Sequence, residues 1–212
     1  MIRVMLHRHL RLLASAPLLL SLAATGCGDD AGESSSGSGG GGASGTTSTG
    51  GTTSSTGTGV TGEPPELAGI TEAHNVARAN VVPAAATPLP PLSWDDTLAG
   101  VAQAYAEKCI WAHSTDNDYG ENLYANTGTG TTPQDVVEGW VSEVDFYDYE
   151  TGGCVEGEMC GHYTQVVWAD TLRVGCGVAN CTTGSPFGSN PNWQNWVCNY
   201  DPPGNWVGEK PY

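Results

Sequence analysis

Between residues 93 and 109 the apolar side chains return at helical spacing. Leu98, Val101, Ala102, Tyr105, Ala106 and Cys109 fall on one face, with Asp95 and Asp96 ahead of them in the first turn. Ser93 supplies a hydroxyl where such a helix needs its N-cap. A second helix is predicted from Thr132-Pro133-Gln134-Asp135, which offers a capping Thr, Pro at the first helical position and an early acid. Val136, Val137, Trp140, Val141 and Val144 form its apolar stripe. An earlier helix is predicted from about Leu67 to Asn80, ending before Pro83. The pattern changes in the last third. Arg173–Cys181 and Trp193–Tyr200 read as strands, separated by a loop rich in Gly, Ser, Pro and Asn. Helices first and a hairpin last predict an α+β fold in which helices cover an antiparallel sheet.

The N-terminal residues follow a different rule. Arg3, Arg8 and Arg11 precede the apolar run Leu12–Leu22, which is too short to span a bilayer and reads as an export signal. Ala24-Thr25-Gly26-Cys27 then resembles a bacterial lipobox, so residues 1–26 are expected to be a lipoprotein signal peptide and Cys27 the lipidated N-terminus. From Ser34 to Gly62 nearly every residue is Gly, Ser or Thr, a composition from which no core can be built. Residues 27–66 are therefore expected to be a lipidated, disordered tether with an r.m.s. reach of roughly 35 Å. Residues 67–212 remain for one domain, long enough for a well-buried core. The expected location is extracellular or in the cell envelope, with the membrane touched only through the lipid.

Charge narrows the partners. The chain carries 7 Lys and Arg against 23 Asp and Glu. With the three leader arginines removed, four basic residues face those 23 acids, a balance of −19. Nucleic acid is excluded, because phosphate binding needs a basic face. An anionic membrane surface is equally unsuited to the domain itself.

Of seven cysteines, Cys27 stands apart, and the other six follow from Cys109 at gaps of 45, 6, 16, 5 and 17 residues. An even number in an exported chain implies disulfides, and six cysteines allow fifteen pairings. Zinc fits them poorly, since no C-x2-C pair is present. With all six paired, no thiolate remains for a cysteine nucleophile. Outside the leader only His74, His113 and His162 occur. Two of them with nearby carboxylates have the chemistry to hold a divalent transition metal. The spacing alone is weak support, because a lone His is more often a hydrogen-bonded structural residue.

Four segments in order carry a family resemblance: His74-Asn75-Val76-Ala77-Arg78, Gly120-Glu121-Asn122-Leu123, Gly161-His162-Tyr163-Thr164-Gln165-Val166-Val167-Trp168, and Cys198-Asn199-Tyr200-Asp201-Pro202-Pro203-Gly204-Asn205-Trp206. Together with the cysteine pattern they resemble the CAP superfamily (cysteine-rich secretory, antigen 5 and pathogenesis-related proteins; the SCP domain). The plant pathogenesis-related type is nearest, down to the ending Gly208-Glu209-Lys210-Pro211-Tyr212. Two positions depart from the family pattern: Val76 replaces an acid, and Asn195 an apolar residue.

The resemblance implies a three-layer α-β-α sandwich around a central antiparallel sheet, stabilised by disulfides. For the longer bridges it implies Cys109–Cys181 and Cys176–Cys198, with Cys154–Cys160 as the short-range pair. It also implies a groove lined by His113, Glu121, Glu143 and His162, the two histidines being the metal ligands and zinc or another divalent cation the occupant. His74, Asn122, Tyr163 and Gln165 are expected to be structural. The functional expectation is a monomeric binding module for a small hydrophobic, lipid or sterol-like ligand or an extracellular partner, with a defence or host-interaction role. The alternative is a metal-assisted hydrolase in which Glu121 or Glu143 activates water. A further alternative is a cell-wall polysaccharide binder that uses Trp193, Trp196 and the Gly184–Asn192 loop.

Overall fold

A computed structural model of the chain describes residues 62–212. The expectations for the leader, Cys27 and most of the tether lie outside them. The helices are α1 (Ile70–Ala79), α2 (Asp96–Ala106), α3 (Pro133–Val141) and α4 (Gly161–Val166). The strands are β1 (Ser93–Trp94), β2 (Gly120–Asn126), β3 (Tyr147–Asp148), β4 (Gly153–Cys154), β5 (Arg173–Cys181) and β6 (Trp193–Asp201). No described helix is long and apolar enough to cross a membrane.

The main sheet has the order β1-β5-β6-β2. β6 pairs antiparallel with both β5 and β2, whereas β1 runs parallel to β5. The sheet is therefore mixed rather than wholly antiparallel, because the short edge strand enters from the α1 side instead of through a hairpin. This pairing also corrects the expected cap. Ser93 is drawn into β1, and Asp95 caps α2 by accepting from Thr97 and Leu98 N–H. The first helix begins later than expected. A 3-10 turn over Pro65–Leu67 precedes it, and the Glu63 carboxylate accepts from the N–H groups of Gly69 and Thr71 at 2.7 and 2.9 Å. Ordered chain thus extends a few residues ahead of Leu67. At α3 the expected cap holds as a full capping box between Thr132 and Asp135.

Alternation along β6 sorts the core into two faces. Trp196, Cys198 and Tyr200 pack with Ile70 and Ala73 of α1, Val136, Val137 and Trp140 of α3, and Tyr163 and Val166 of α4. Val197, with Leu123 of β2, packs on Ala102, Tyr105 and Ala106 of α2. The result is an α-β-α sandwich. Two glycines of β5 let α2 lie directly on the sheet: a Cβ on Gly175 would sit 2.2 Å from Ala99 N, and one on Gly177 2.4 Å from Gln103 Cα. Cys109–Cys181 closes the far end of this layer, Cys176–Cys198 crosses between β5 and β6, and Cys154–Cys160 closes a short loop before α4.

Trp193 and Trp196 do not form a surface. Both are almost wholly buried, and Trp193 Nε1 donates to Thr183 O at 2.7 Å. Alternating strand residues beside two α layers leave these rings inside the core, so the aromatic platform expected for a polysaccharide is absent there. Asn195 is accommodated inside by donating to Ala106 O, and Val76 is exposed, where an apolar residue costs little.

Candidate functional site

The site is assembled from four segments. His113 stands in the loop after α2, Glu121 on β2, Glu143 in the 3-10 turn Ser142–Phe146 that continues α3, and His162 in the first turn of α4. Glu143 joins the end of α3 to the start of α4 within one helical layer. Its Oε2 accepts from the N–H groups of His162 and Tyr163 at 2.9 and 3.2 Å, filling donors that a helix start leaves free. Its Oε1 lies 2.6 Å from His162 Nδ1. The indole of Trp140 stacks near the same imidazole, with ring centres 6.4 Å apart.

Glu121 repeats the arrangement on the other side. Its Oε1 accepts from Ser114 N–H at 2.9 Å and lies 2.9 Å from His113 Nδ1. Its Oε2 is buried without a hydrogen-bond partner. Burial pushes the Glu121 carboxyl up, but the hydrogen bonds from His113 and Ser114 outweigh it and leave the group below its ordinary range. The same bond to Glu121 raises His113 above the usual imidazole value, against the opposing effect of burial.

The two carboxylates fix the two rings. A carboxylate beside Nδ1 makes that nitrogen the proton donor, so in the neutral imidazole Nε2 keeps its lone pair. His113, Glu121 and His162 line one cavity of about 330 Å³ with Asn122, Met159, Gly161 and Asn205, while Glu143 stands behind His162. Among the described residues, no three His, Cys, Asp or Glu side chains converge as a ready-made cage for a metal ion. The donor set on offer is two imidazole nitrogens in an open cleft.

Buried hydrogen bonds hold this arrangement from below. Asn122 Nδ2 donates to His162 O and to Tyr200 Oη, both at 3.1 Å. His74, fully buried, pairs its Nδ1 with Ile70 O at 2.7 Å and its Nε2 with Tyr200 Oη at 2.8 Å. Nδ1 is then the donor, and Tyr200 O–H donates to Nε2. Gln165 ties Thr171 to Gly204. His74, Tyr163 and Gln165 lie in the framework, whereas Asn122 both braces His162 from below and lines the cavity.

Sequence reasoning missed Met159, Gly161 and Asn205 as lining residues. Asn205 has a signal in retrospect. It adopts a left-handed φ of 61°, which Asn tolerates better than most residues, and its side chain bonds Gly161 O and Thr164 Oγ1. Gly204 before it lies flat on Trp168, where a Cβ would meet the indole at 2.6 Å.

An α-β-α sandwich with a disulfide frame and a paired His–Glu groove defines the class of protein. The chain belongs to the cysteine-rich secretory protein family, CAP, which matches residues 71–200. It is 46% identical over 143 residues to pathogenesis-related protein PR-1 of Medicago truncatula, covering 66% of this chain and 75% of that protein. It is 44% identical over 144 residues to peptidase inhibitor 16 of Mus musculus, covering 68% of this chain but only 28% of that longer protein. Among solved structures it is similar to the venom allergen-like protein 4 of Schistosoma mansoni, at 27% identity and a TM-score of 0.52 over 68% of this chain and 90% of that one. It is also similar to NaASP2 solved with Zn2+, at 25% identity and a TM-score of 0.54 over 68% and 82% of the two chains.

Proposed function

We propose that this is an exported CAP-domain binding protein whose groove takes a divalent cation, zinc foremost, on Nε2 of His113 and His162. A small lipid or sterol-like ligand or an extracellular partner is the second occupant, and Cys27 is the lipid anchor. The observation that supports the cation reading is the pair of carboxylate-oriented imidazoles on one cavity. A bound ion would bring Lewis acidity and open coordination positions for water or a ligand oxygen. NaASP2, a relative in fold, was solved with zinc. Three disulfides in the domain suit an exported chain.

Binding is favoured over hydrolysis by how the acids are used. Both oxygens of Glu143 and one of Glu121 already accept from His rings or backbone N–H groups, and the remaining Glu121 Oε2 is buried. They act as orienting groups, and neither is free to activate water in the cleft.

Calorimetry with zinc on the wild-type chain, His113→Ala and His162→Ala tests the site. Wild type is expected to bind with modest affinity, since two protein ligands are fewer than the three usual for catalytic zinc, and each variant is expected to lose binding. Affinity falls as pH falls, because a protonated imidazole cannot ligate. For His113 that loss begins above about 6.5, since its partner raises its hold on the proton. Equal binding by all three proteins, or none by wild type at millimolar zinc, refutes the reading. The anchor is tested separately: Cys27→Ser is expected to release the protein from membranes, and a variant retained like wild type refutes that part.

A further inference from the structure

Three buried polar atoms near the groove have no hydrogen-bond partner: Glu121 Oε2 and both amide atoms of Asn199. Asn199 is fully buried in the central strand β6, where an unsatisfied carboxamide is costly. Its position explains what it serves. Glu121 and Asn199 are directly opposed in the β2–β6 register, so their side chains stand on the same face. On the other side Asn199 is opposed by Gly175, which has no side chain and lies against the backbone of α2. Along its own strand the flanking residue on that face towards the core is Val197. Glu121 is thus the one polar side chain directly across the ladder from the Asn199 amide.

We infer that Asn199 is a positioning residue of the groove: its carboxamide holds Glu121 Oε2 through one bound water, and Glu121 in turn fixes the ring of His113. A bridging water is the natural link for two polar groups that face one another without a direct bond. Neither amide atom is anchored elsewhere, so the carboxamide is free to turn Nδ2 toward the carboxylate. The arrangement gives Glu121 a support on each oxygen, with Ser114 N–H and His113 on Oε1 and Asn199 on Oε2. The inference deepens the groove reading, since it concerns how one proposed ligand is oriented, but it requires no metal.

The test is a double-mutant cycle on the full chain in chelator, with Asn199→Leu and Glu121→Gln made singly and together. The unfolding equilibrium is expected to show a coupling of about five-fold or more between the two sites. Asn195→Leu combined with Glu121→Gln is the control, on the same face but bonded to Ala106 O, and should show none. Nitrogen NMR of His113 gives a reading that a merely packing role would not move. The Nδ1–H tautomer dominates in wild type and becomes a mixture in Asn199→Leu. Should Asn199→Leu fold poorly, Asn199→Ser serves, with a short hydroxyl expected to restore part of the tautomer bias. Absence of coupling, or a wild-type tautomer in the Asn199 variants, overturns the inference. Either result is independent of whether zinc binds.

Discussion

Arg78 is the largest charged group in the core, and its replacement has a calculable cost. It is buried at 1% exposure near the end of α1. Its Nε donates to Pro90 O at 2.9 Å, Nη1 to Val166 O and Trp168 O at 3.0 and 2.7 Å, and Nη2 to Thr171 O at 3.1 Å. Among the described residues no carboxylate forms an ion pair with it. Burial lowers its pKa to about 10, which still leaves it protonated at neutral pH. Arg78→Met keeps the apolar stem but takes a donor from four carbonyls; Trp168 O keeps the N–H of Thr171, while Pro90 O, Thr171 O and Val166 O at the end of α4 lose theirs. Each orphaned acceptor costs about 1–3 kcal/mol, some of it recovered by hydration and by no longer burying a charge. A net loss of roughly 4 kcal/mol is expected, or about 8–16 °C in Tm for a domain of this size. Arg78→Lys should recover only a minor part, because an ammonium has three donors at one point and cannot span four separated carbonyls. Urea unfolding followed by tryptophan fluorescence measures both. A Met variant within about 1 kcal/mol of wild type, or a Lys variant equal to wild type, refutes the view that these bonds lock α4 to α1.

Two further outcomes are expected. His74 is held neutral, since burial lowers its pKa from 6.5 to about 4. Between those values the unfolded chain binds a proton that the fold refuses, so stability is full above 6.5 and falls by roughly 3 kcal/mol as pH drops to 4. His74→Gln should remove that part of the acid dependence, and parallel stability–pH curves for the two proteins would count against it. The disulfides should rank by the chain they enclose. Loss of Cys109–Cys181, separated by 72 residues, is expected to cost roughly 4 kcal/mol, and loss of Cys154–Cys160, separated by 6, roughly 2. Denaturation of paired Cys→Ala variants checks the order, and the reverse order would show that native-state contacts dominate.

The helices α2 and α3 were legible because capping residues and apolar spacing agree locally. Ser93 shows the limit of that reasoning: Ser and Asp cap about equally well, and pairing of Ser93 with β5 decided between Ser93 and Asp95. β2 was legible only as a motif. Gly-Glu-Asn-Leu-Tyr-Ala-Asn has little β-propensity, and it becomes a strand because seven residues pair with β6. α4 has six residues, too short for a periodic signal. The two longer cysteine pairings and the His–Glu groove came from the family resemblance, and Cys154–Cys160 from the shortness of the loop it closes. Contacts such as Glu143 with His162 join residues 19 apart in sequence through tertiary packing, which local spacing does not encode.

His113, Glu121, Glu143 and His162 lie on four different segments, spread from a loop after α2 to the start of α4. The groove therefore has no local version: a short peptide can carry His113 with Glu121, eight residues apart, but not all four side chains, and the cleft exists only in the completed fold. An occupant that recognises the assembled cleft must then stabilise the whole domain by RT ln(1 + [L]/Kd), which is about 2.7 kcal/mol at a hundredfold excess over Kd. Melting temperature becomes a binding assay that works before the occupant has been identified, so a panel of metals, lipids and sterols can be ranked by how far each raises it.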